Sequence, residues 1–368
     1  MPVDLSIVIG TRPEAIKCAP VLLALRDRGL GVRIVASGQH AELADDALRT
    51  FGLSADVNLH CMGDDGLTGL ASRLMGAIGI ELAAHKPRLV IVQGDTTTAM
   101  IGALAACYAR LPCAHIEAGL RSGNLHAPWP EEVNRLVTDR LANRHYAPTA
   151  GARDNLLREG IPADSIVVTG QTGVDACLWM ARAMGDAPPG RLADVLPAGR
   201  LVYATAHRRE NKGGRIARLL RGVVGALDAS GATCLLAAHP DPDVQEEVRQ
   251  VSHERLIVTA PLSYAESVWL IAHADVIVTD SGGIQEEAPS FGTPVLVARD
   301  VTERPEGLEA SFLRLVGTDP EQVRAALHET LIDTGLRERL LRHPNPYGDG
   351  QASERIARDI AEYLTLEP

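Results

Sequence analysis

Cys113-Ala-His-Ile-Glu117 is a short apolar run that ends in a carboxylate and leads into the loop Ala118-Gly-Leu-Arg-Ser-Gly-Asn-Leu-His-Ala-Pro-Trp-Pro130. Glu131, Glu132, Asn134 and Arg135 then open a helical pattern. Strand, loop and helix in that order form the repeating unit of a parallel α/β sheet. Outward from this stretch the rhythm recurs, with β-rich runs at 5–9, 32–37, 89–93, 145–147 and 166–169. A second series follows at 201–206, 233–238, 256–260, 276–279, 294–298 and 313–316. Six candidate strands in each half predict two Rossmann-like, doubly wound domains facing a cleft, with ligands beyond the carboxyl ends of the strands. The polar stretch Gly170-Gln-Thr-Gly173 marks the boundary, giving a first domain over 1–169, a second over 170–350 and a closing helix over 351–368.

Length and composition agree with this plan. A chain of 368 residues exceeds one ordinary core. Its 46% hydrophobic and 23% charged residues are globular proportions. Six Cys, at 18, 61, 107, 113, 177 and 234, show no paired metal spacing and read as reduced thiols of a cytoplasmic protein, with no structural metal expected. No secretion signal opens the chain. Charged residues such as Asp95, Asp139 and Asp275 interrupt the apolar runs, which predicts no stretch of the roughly 20 residues a membrane span needs. A formal net charge of −11 argues against nonspecific nucleic-acid binding but allows a local basic pocket.

The loop after Glu117 carries two Gly and two Pro, so its shape is set by the backbone, and it can aim Glu117 and Glu131 at one spot. Taken singly, Glu117 is a strand-end acid and Glu131 a first-turn residue favoured by the helix dipole. Facing one ligand, two carboxylates suit proton transfer. Asp95 ends another apolar strand in Gln93-Gly-Asp-Thr-Thr-Thr98 and is either a third acid or an N-cap. Gly10-Thr-Arg-Pro-Glu-Ala-Ile-Lys17 is a turn into a helix that places Arg12 and Lys17 where they can neutralise a diphosphate. In the second half, Asp280-Ser-Gly-Gly-Ile-Gln-Glu-Glu-Ala-Pro289 reads as strand, glycine turn and helix. Ser281, Gly282 and Gly283 can donate backbone N–H groups to phosphate, and Glu286 or Glu287 can take ribose hydroxyls. His207, Arg208 and Arg209 leave the first main strand of that half, and His239 ends the next.

Taken together, Gly10 to Lys17, Gly94 to Thr98, His115 to Arg135, His207 to Glu210, Asp280 to Pro289, Thr302-Glu-Arg-Pro-Glu306 and Asn345-Pro-Tyr-Gly-Asp-Gly350 resemble the non-hydrolysing UDP-N-acetylglucosamine 2-epimerases. The resemblance runs nearly end to end. It implies a glycosyltransferase-B-like fold whose terminal helix crosses back to the first domain, and a homodimer. It also implies reversible interconversion of UDP-N-acetylglucosamine (UDP-GlcNAc) and UDP-N-acetylmannosamine (UDP-ManNAc), without NAD or an obligatory metal, through loss of UDP to 2-acetamidoglucal and re-addition. By the same resemblance, Asp95, Glu117 and Glu131 are the proton-transferring carboxylates, and His207 and Arg12 lie at the nucleotide phosphates with Lys17 and Arg135 in support. Ser281, Gly282 and Gly283 match the diphosphate loop, Glu287 the ribose-binding acid, and Leu262 lies at the nucleotide. Which carboxylate is acid and which base stays open.

Two departures stand out. Ser267 occupies a position where many bacterial members carry an aromatic residue near uracil. A second, regulatory UDP-GlcNAc site of the family is matched by Gln39, Arg73, Arg208 and His239, but Ala41 and Glu42 break its pattern, and Glu42 adds negative charge beside a diphosphate. The alternatives are a hydrolysing epimerase that releases free sugar, an epimerase of a modified UDP-sugar, a glycosyltransferase of the same fold, and a noncatalytic UDP-sugar sensor.

Overall fold

The computed structural model describes residues 4–38, 41–196, 198–206, 211 and 213–366. The chain forms two compact units, Met1–Ala176 with Gly348–Pro368, and Cys177–Tyr347. It passes from one to the other within the helix Thr172–Met184.

The first unit is built on seven strands: β1 Leu5–Ile9, β2 Val32–Ala36, β3 Val57–Asn58, β4 Leu89–Gln93, β5 Cys113–Ile116, β6 Arg144–Ala147 and β7 Ile166–Val168. They lie in the order β3-β2-β1-β4-β5-β6-β7, with every pairing parallel. Every residue of β1 and β4 is buried, as expected of central strands covered by helices on both faces. The second unit has β8 Leu201–Ala206, β9 Thr233–Ala238, β10 Leu256–Thr259, β11 Val276–Thr279, β12 Val295–Val297 and β13 Leu313–Leu315, in the parallel order β10-β9-β8-β11-β12-β13. Strand order reverses between β1 and β4 in one sheet and between β8 and β11 in the other. Each reversal opens a crevice at the strand ends, the usual ligand position in such sheets.

The helix Ala352–Leu366 returns to the first unit and packs on the helix Arg12–Asp27. Asp359 receives a hydrogen bond from the Tyr146 hydroxyl at 2.9 Å and pairs with Arg144, while Arg28 meets Glu354 at 2.8 Å. This is the crossing helix that the resemblance implies.

The expectation that no apolar stretch reaches membrane-spanning length is corrected by the helix Gly66–His85. By length and composition it is long and apolar enough to cross a membrane. Leu70, Leu74, Ile78 and Leu82, spaced four apart, are buried in the first unit's core. Burying each contributes about 1.5–3 kcal/mol, so this face belongs to the fold.

Candidate active site

The loops that leave β1, β4 and β5 and the start of the helix Glu131–Leu141 form a charged cluster in the first unit. After β1, Thr11 caps the helix Arg12–Asp27, with Arg12 at its first position and Glu14 closing the capping box. Gly10 leaves no room for a side chain, because an added Cβ would lie 2.4 Å from Thr98 Oγ1. Glu14 is fully buried. Its Oε2 accepts from Gly10 N at 3.1 Å, Thr11 N at 2.7 Å and Thr11 Oγ1 at 2.7 Å, and its Oε1 accepts from Thr96 Oγ1 at 2.7 Å. Burial nevertheless pushes the Glu14 carboxyl up to about 7 against those donors.

Strand β5 ends one residue before Glu117, whose φ of +71° is a left-handed conformation seldom taken by a residue with a side chain. The turn places the Glu117 carboxylate against Lys17. Its Oε2 accepts from Lys17 Nζ at 2.5 Å and from Gln93 Nε2 at 2.8 Å. Asp95, beyond β4, is paired with Arg135, and its carbonyl accepts from Asn134 Nδ2 at 2.8 Å. Arg135 also meets Glu132 at 3.2 Å. Burial alone would lower the Arg135 guanidinium, but Asp95, Glu117 and Glu132 more than offset this and hold it up. Arg135 therefore feels acids delivered by three segments.

Glu131 lies one helical turn before Arg135 on the same face of the helix. Its Oε2 is buried and accepts no hydrogen bond among the described residues. A buried acceptor left open in a charged cluster is costly unless a ligand completes it. The loop before it, with cis bonds at Ala127-Pro128 and Trp129-Pro130, is held by Glu132, which accepts from Ser122 N at 3.0 Å and Gly123 N at 2.9 Å. A cavity of about 500 Å³ beside Leu136, Val137, Arg140 and Leu141 lies on the opposite side of this helix and shares none of the carboxylates.

In the second unit, β11 leads into the turn Asp280–Ser281 and the short helix Gly282–Glu287. Ser281 N is already given to Thr279 Oγ1 at 2.9 Å, and that hydroxyl lies 2.6 Å from Thr205 Oγ1. The N–H groups of Gly282 and Gly283 find no acceptor among the described residues. Arg304 lies against Gly282, where an added Cβ would come within 2.7 Å of the guanidinium. Arg304 pairs with Glu286 at 2.7 Å, which commits that acid. Glu287 is 8% exposed on the same helix. The Leu262 side chain is buried in an apolar cluster with Leu201, Tyr203 and Trp269. Ser267 Oγ lies 3.1 Å from the Tyr203 hydroxyl.

The sequence profile of the UDP-N-acetylglucosamine 2-epimerases matches residues 23–361. The chain belongs to the UDP-N-acetylglucosamine 2-epimerase family. It is 41% identical to the UDP-N-acetylglucosamine 2-epimerase of Salmonella typhimurium strain LT2, over 97% of this chain and 98% of that protein. Among solved structures, the S. aureus MnaA-UDP co-structure is 38% identical with a TM-score of 0.90, covering 99% of this chain and 97% of that one. The UDP-GlcNAc 2-epimerase from Neisseria meningitidis bound to UDP-GlcNAc is 35% identical with a TM-score of 0.88, covering 97% and 99%. The two parallel α/β units are those of the glycosyltransferase-B-like class.

Several residues matched to this epimerase family lie outside the described residues: His207, Arg208 and Gln39, together with the side chain of Glu42. Of the matched regulatory positions, Arg73 is held in the first unit by Asp65, with both contacts at 2.6 Å, and by the Cys61 carbonyl at 2.8 Å. His239 is in the second unit, and its Nδ1 accepts from Asp241 N at 3.2 Å. Sequence reasoning passed over Glu14, Gln93 and His115 as site residues. The available signal was a polar side chain inside a strand buried on both faces, as at Gln93 and His115.

Proposed function

We propose that this chain interconverts UDP-GlcNAc and UDP-ManNAc by inverting C2 of the sugar. The C2 proton is not acidic enough for easy direct removal, so its loss accompanies C1–O cleavage. UDP departs, 2-acetamidoglucal forms, and UDP re-adds after protonation on the other face. Asp95, Glu117 and Glu131 transfer the protons. In the second unit the diphosphate rests on Gly282 and Gly283 N–H with Ser281, Glu287 takes the ribose and the Leu262 backbone lies at the base; Arg12 and His207 keep the phosphate-binding roles that the resemblance implies. The observation that carries this reading is the open, buried Glu131 Oε2 one helical turn from Arg135, which pairs with Asp95. Positioned proton transfer supplies about 10²–10⁴-fold, so stabilisation of the departing UDP carries much of the rest.

The test is proton NMR of the purified chain with UDP-GlcNAc. UDP-ManNAc should appear without an acceptor sugar. Accumulation of free N-acetylmannosamine and UDP instead would replace this reading with a hydrolysing one.

The same reading includes a homodimer formed through the helix Gly66–His85. Its outer face carries Gly76, Ile80 at 74% exposure and Ala83, and a Cβ added at Gly76 would enter open space. Small apolar residues let a second helix approach closely, which also explains an apolar helix covered on only one side. Light scattering should give twice the chain mass, with Ile80→Glu shifting it to the monomer. A monomeric wild type would end this part of the proposal. The proposed location is the cytoplasm, in keeping with six free Cys.

A further inference from the structure

We propose that His115, paired with Asp139, is a positioning residue that clamps the peptide carrying Asp95 within the proton-transfer cluster. This rests on the epimerase reading for its kinetic consequence, but not for its structural one. His115 lies in β5, and both it and Asp139 are essentially unexposed, at 0% and 1%. Nδ1 of His115 is 2.5 Å from Asp139 Oδ1, and Nε2 is 2.8 Å from the Gly94 carbonyl oxygen. Neither partner has a hydrogen to give, so both ring nitrogens donate. The other Asp139 oxygen accepts from Gly119 N at 3.1 Å and from Arg121 at 2.7 Å.

One ring thereby joins three segments: the turn after β4 that bears Asp95, β5 that delivers Glu117, and the helix that delivers Glu131 and Arg135. Gly94 is fixed on both sides, because its N–H donates to the Ile116 carbonyl at 3.0 Å while its own carbonyl takes His115. Asn134 holds the next carbonyl, that of Asp95, at 2.8 Å. The two carbonyls flanking the Asp95 Cα are thus both held by side chains. A buried ion pair of this kind seldom stabilises a fold more than apolar side chains of the same volume would. The bond from His115 Nε2 to the Gly94 carbonyl instead fixes the peptide that carries a reacting carboxylate, and small misplacements of reacting groups slow reactions strongly.

The hydrogen bond to Gly94, rather than the charge, is the working contact, and two substitutions separate them. In Asp139→Asn the amide oxygen can still accept from Gly119 and Arg121, while its NH₂ donates to a ring that keeps hydrogen only on Nε2. The Gly94 bond survives. In His115→Phe it is lost. The experiment measures kcat and KM for UDP-GlcNAc, together with hydrogen exchange at the Gly94 amide, in the full chain. His115→Phe should lower kcat at least about tenfold with KM within about threefold, and should raise Gly94 exchange at least about tenfold while the other β4 amides stay protected. Asp139→Asn should keep kcat and Gly94 exchange within about threefold of the wild type. If His115→Phe does not fold, His115→Leu takes its place with the same expected values.

Unchanged kcat and unchanged exchange in the His115 variant would overturn the clamp. So would a loss in Asp139→Asn as large as that in the His115 variant, or a rise in exchange spread over the whole unit. A wild type inactive on UDP-GlcNAc would defeat the epimerase reading, while the exchange measurement would still decide the clamp.

Discussion

The two units build their strand-end crevices on the same parallel sheet order but furnish them differently. In the first, β4 and β5 deliver side-chain charge: Glu117 is clamped by Lys17 and Gln93, Asp95 by Arg135, and Glu131 is left open. In the second, β11 delivers backbone, the N–H groups of Gly282 and Gly283, with Arg304 pinned behind them by Glu286. Charged side chains taken from water must be paired at close range to remain ionised, as Glu117 and Asp95 are in the first crevice. Amides at a helix start have no partner within their helix, so the second crevice can offer them to a ligand without breaking any bond. On the proposed reading one unit does chemistry and the other holds the ligand, so damage to the first should fall on kcat and damage to the second on KM.

The largest expected break is Glu117→Gln. The amide keeps an oxygen for Lys17 but cannot take a proton, so kcat should fall about 10²–10⁴-fold with KM little changed. A loss confined to KM would reverse the assignment of roles.

Glu14 tests the burial of charge in the first unit through stability. Its carboxyl is raised by burial from 4.5 to about 7. A carboxyl raised on folding contributes stability that is fully present below the unfolded value of 4.5 and is lost as pH rises through about 7. The whole effect is on the order of 3 kcal/mol. Glu14→Gln cannot ionise, so its Tm relative to wild type should rise between about pH 5 and about pH 8. Parallel Tm profiles would show that Glu14 does not titrate in this range.

The smallest effect is expected in the second unit. Gly282→Ala would place a Cβ 2.7 Å from an Arg304 guanidinium that Glu286 holds in place. The turn must shift, and KM for UDP-GlcNAc should rise about tenfold with kcat unchanged. A fall in kcat alone would mean that this turn takes part in chemistry.

Much of the fold was legible because parallel strands covered on both faces read as short, largely apolar runs. β1, β4, β8, β9 and β11 fall where those runs lie. β3 was not legible, since Val57–Asn58 is a two-residue edge strand only partly buried, with no apolar run to mark it. The outer face of Gly66–His85 was missed for the opposite reason: two charges, Arg73 and Glu81, disguise a helix that is otherwise apolar. In the candidate site, Asp95, Glu117, Lys17 and Arg135 stood out because they follow strand ends or open helices. What joins them did not. The Lys17–Glu117 pair spans 100 residues, and the His115–Asp139 pair joins a strand to a helix, so neither leaves a local pattern. The left-handed turn at Glu117, which aims its carboxylate at Lys17, has no signature in a Glu either.

The central claim is that the first unit's carboxylates move the C2 proton. Proton NMR in deuterated water, with UDP-GlcNAc and either the wild type or the Glu117→Gln, Glu131→Gln double variant, tests it most directly. The account predicts UDP-ManNAc carrying deuterium at C2 from the wild type and no C2 exchange from the double variant. Epimerisation without deuterium at C2, or exchange by the double variant at the wild-type rate, would contradict it.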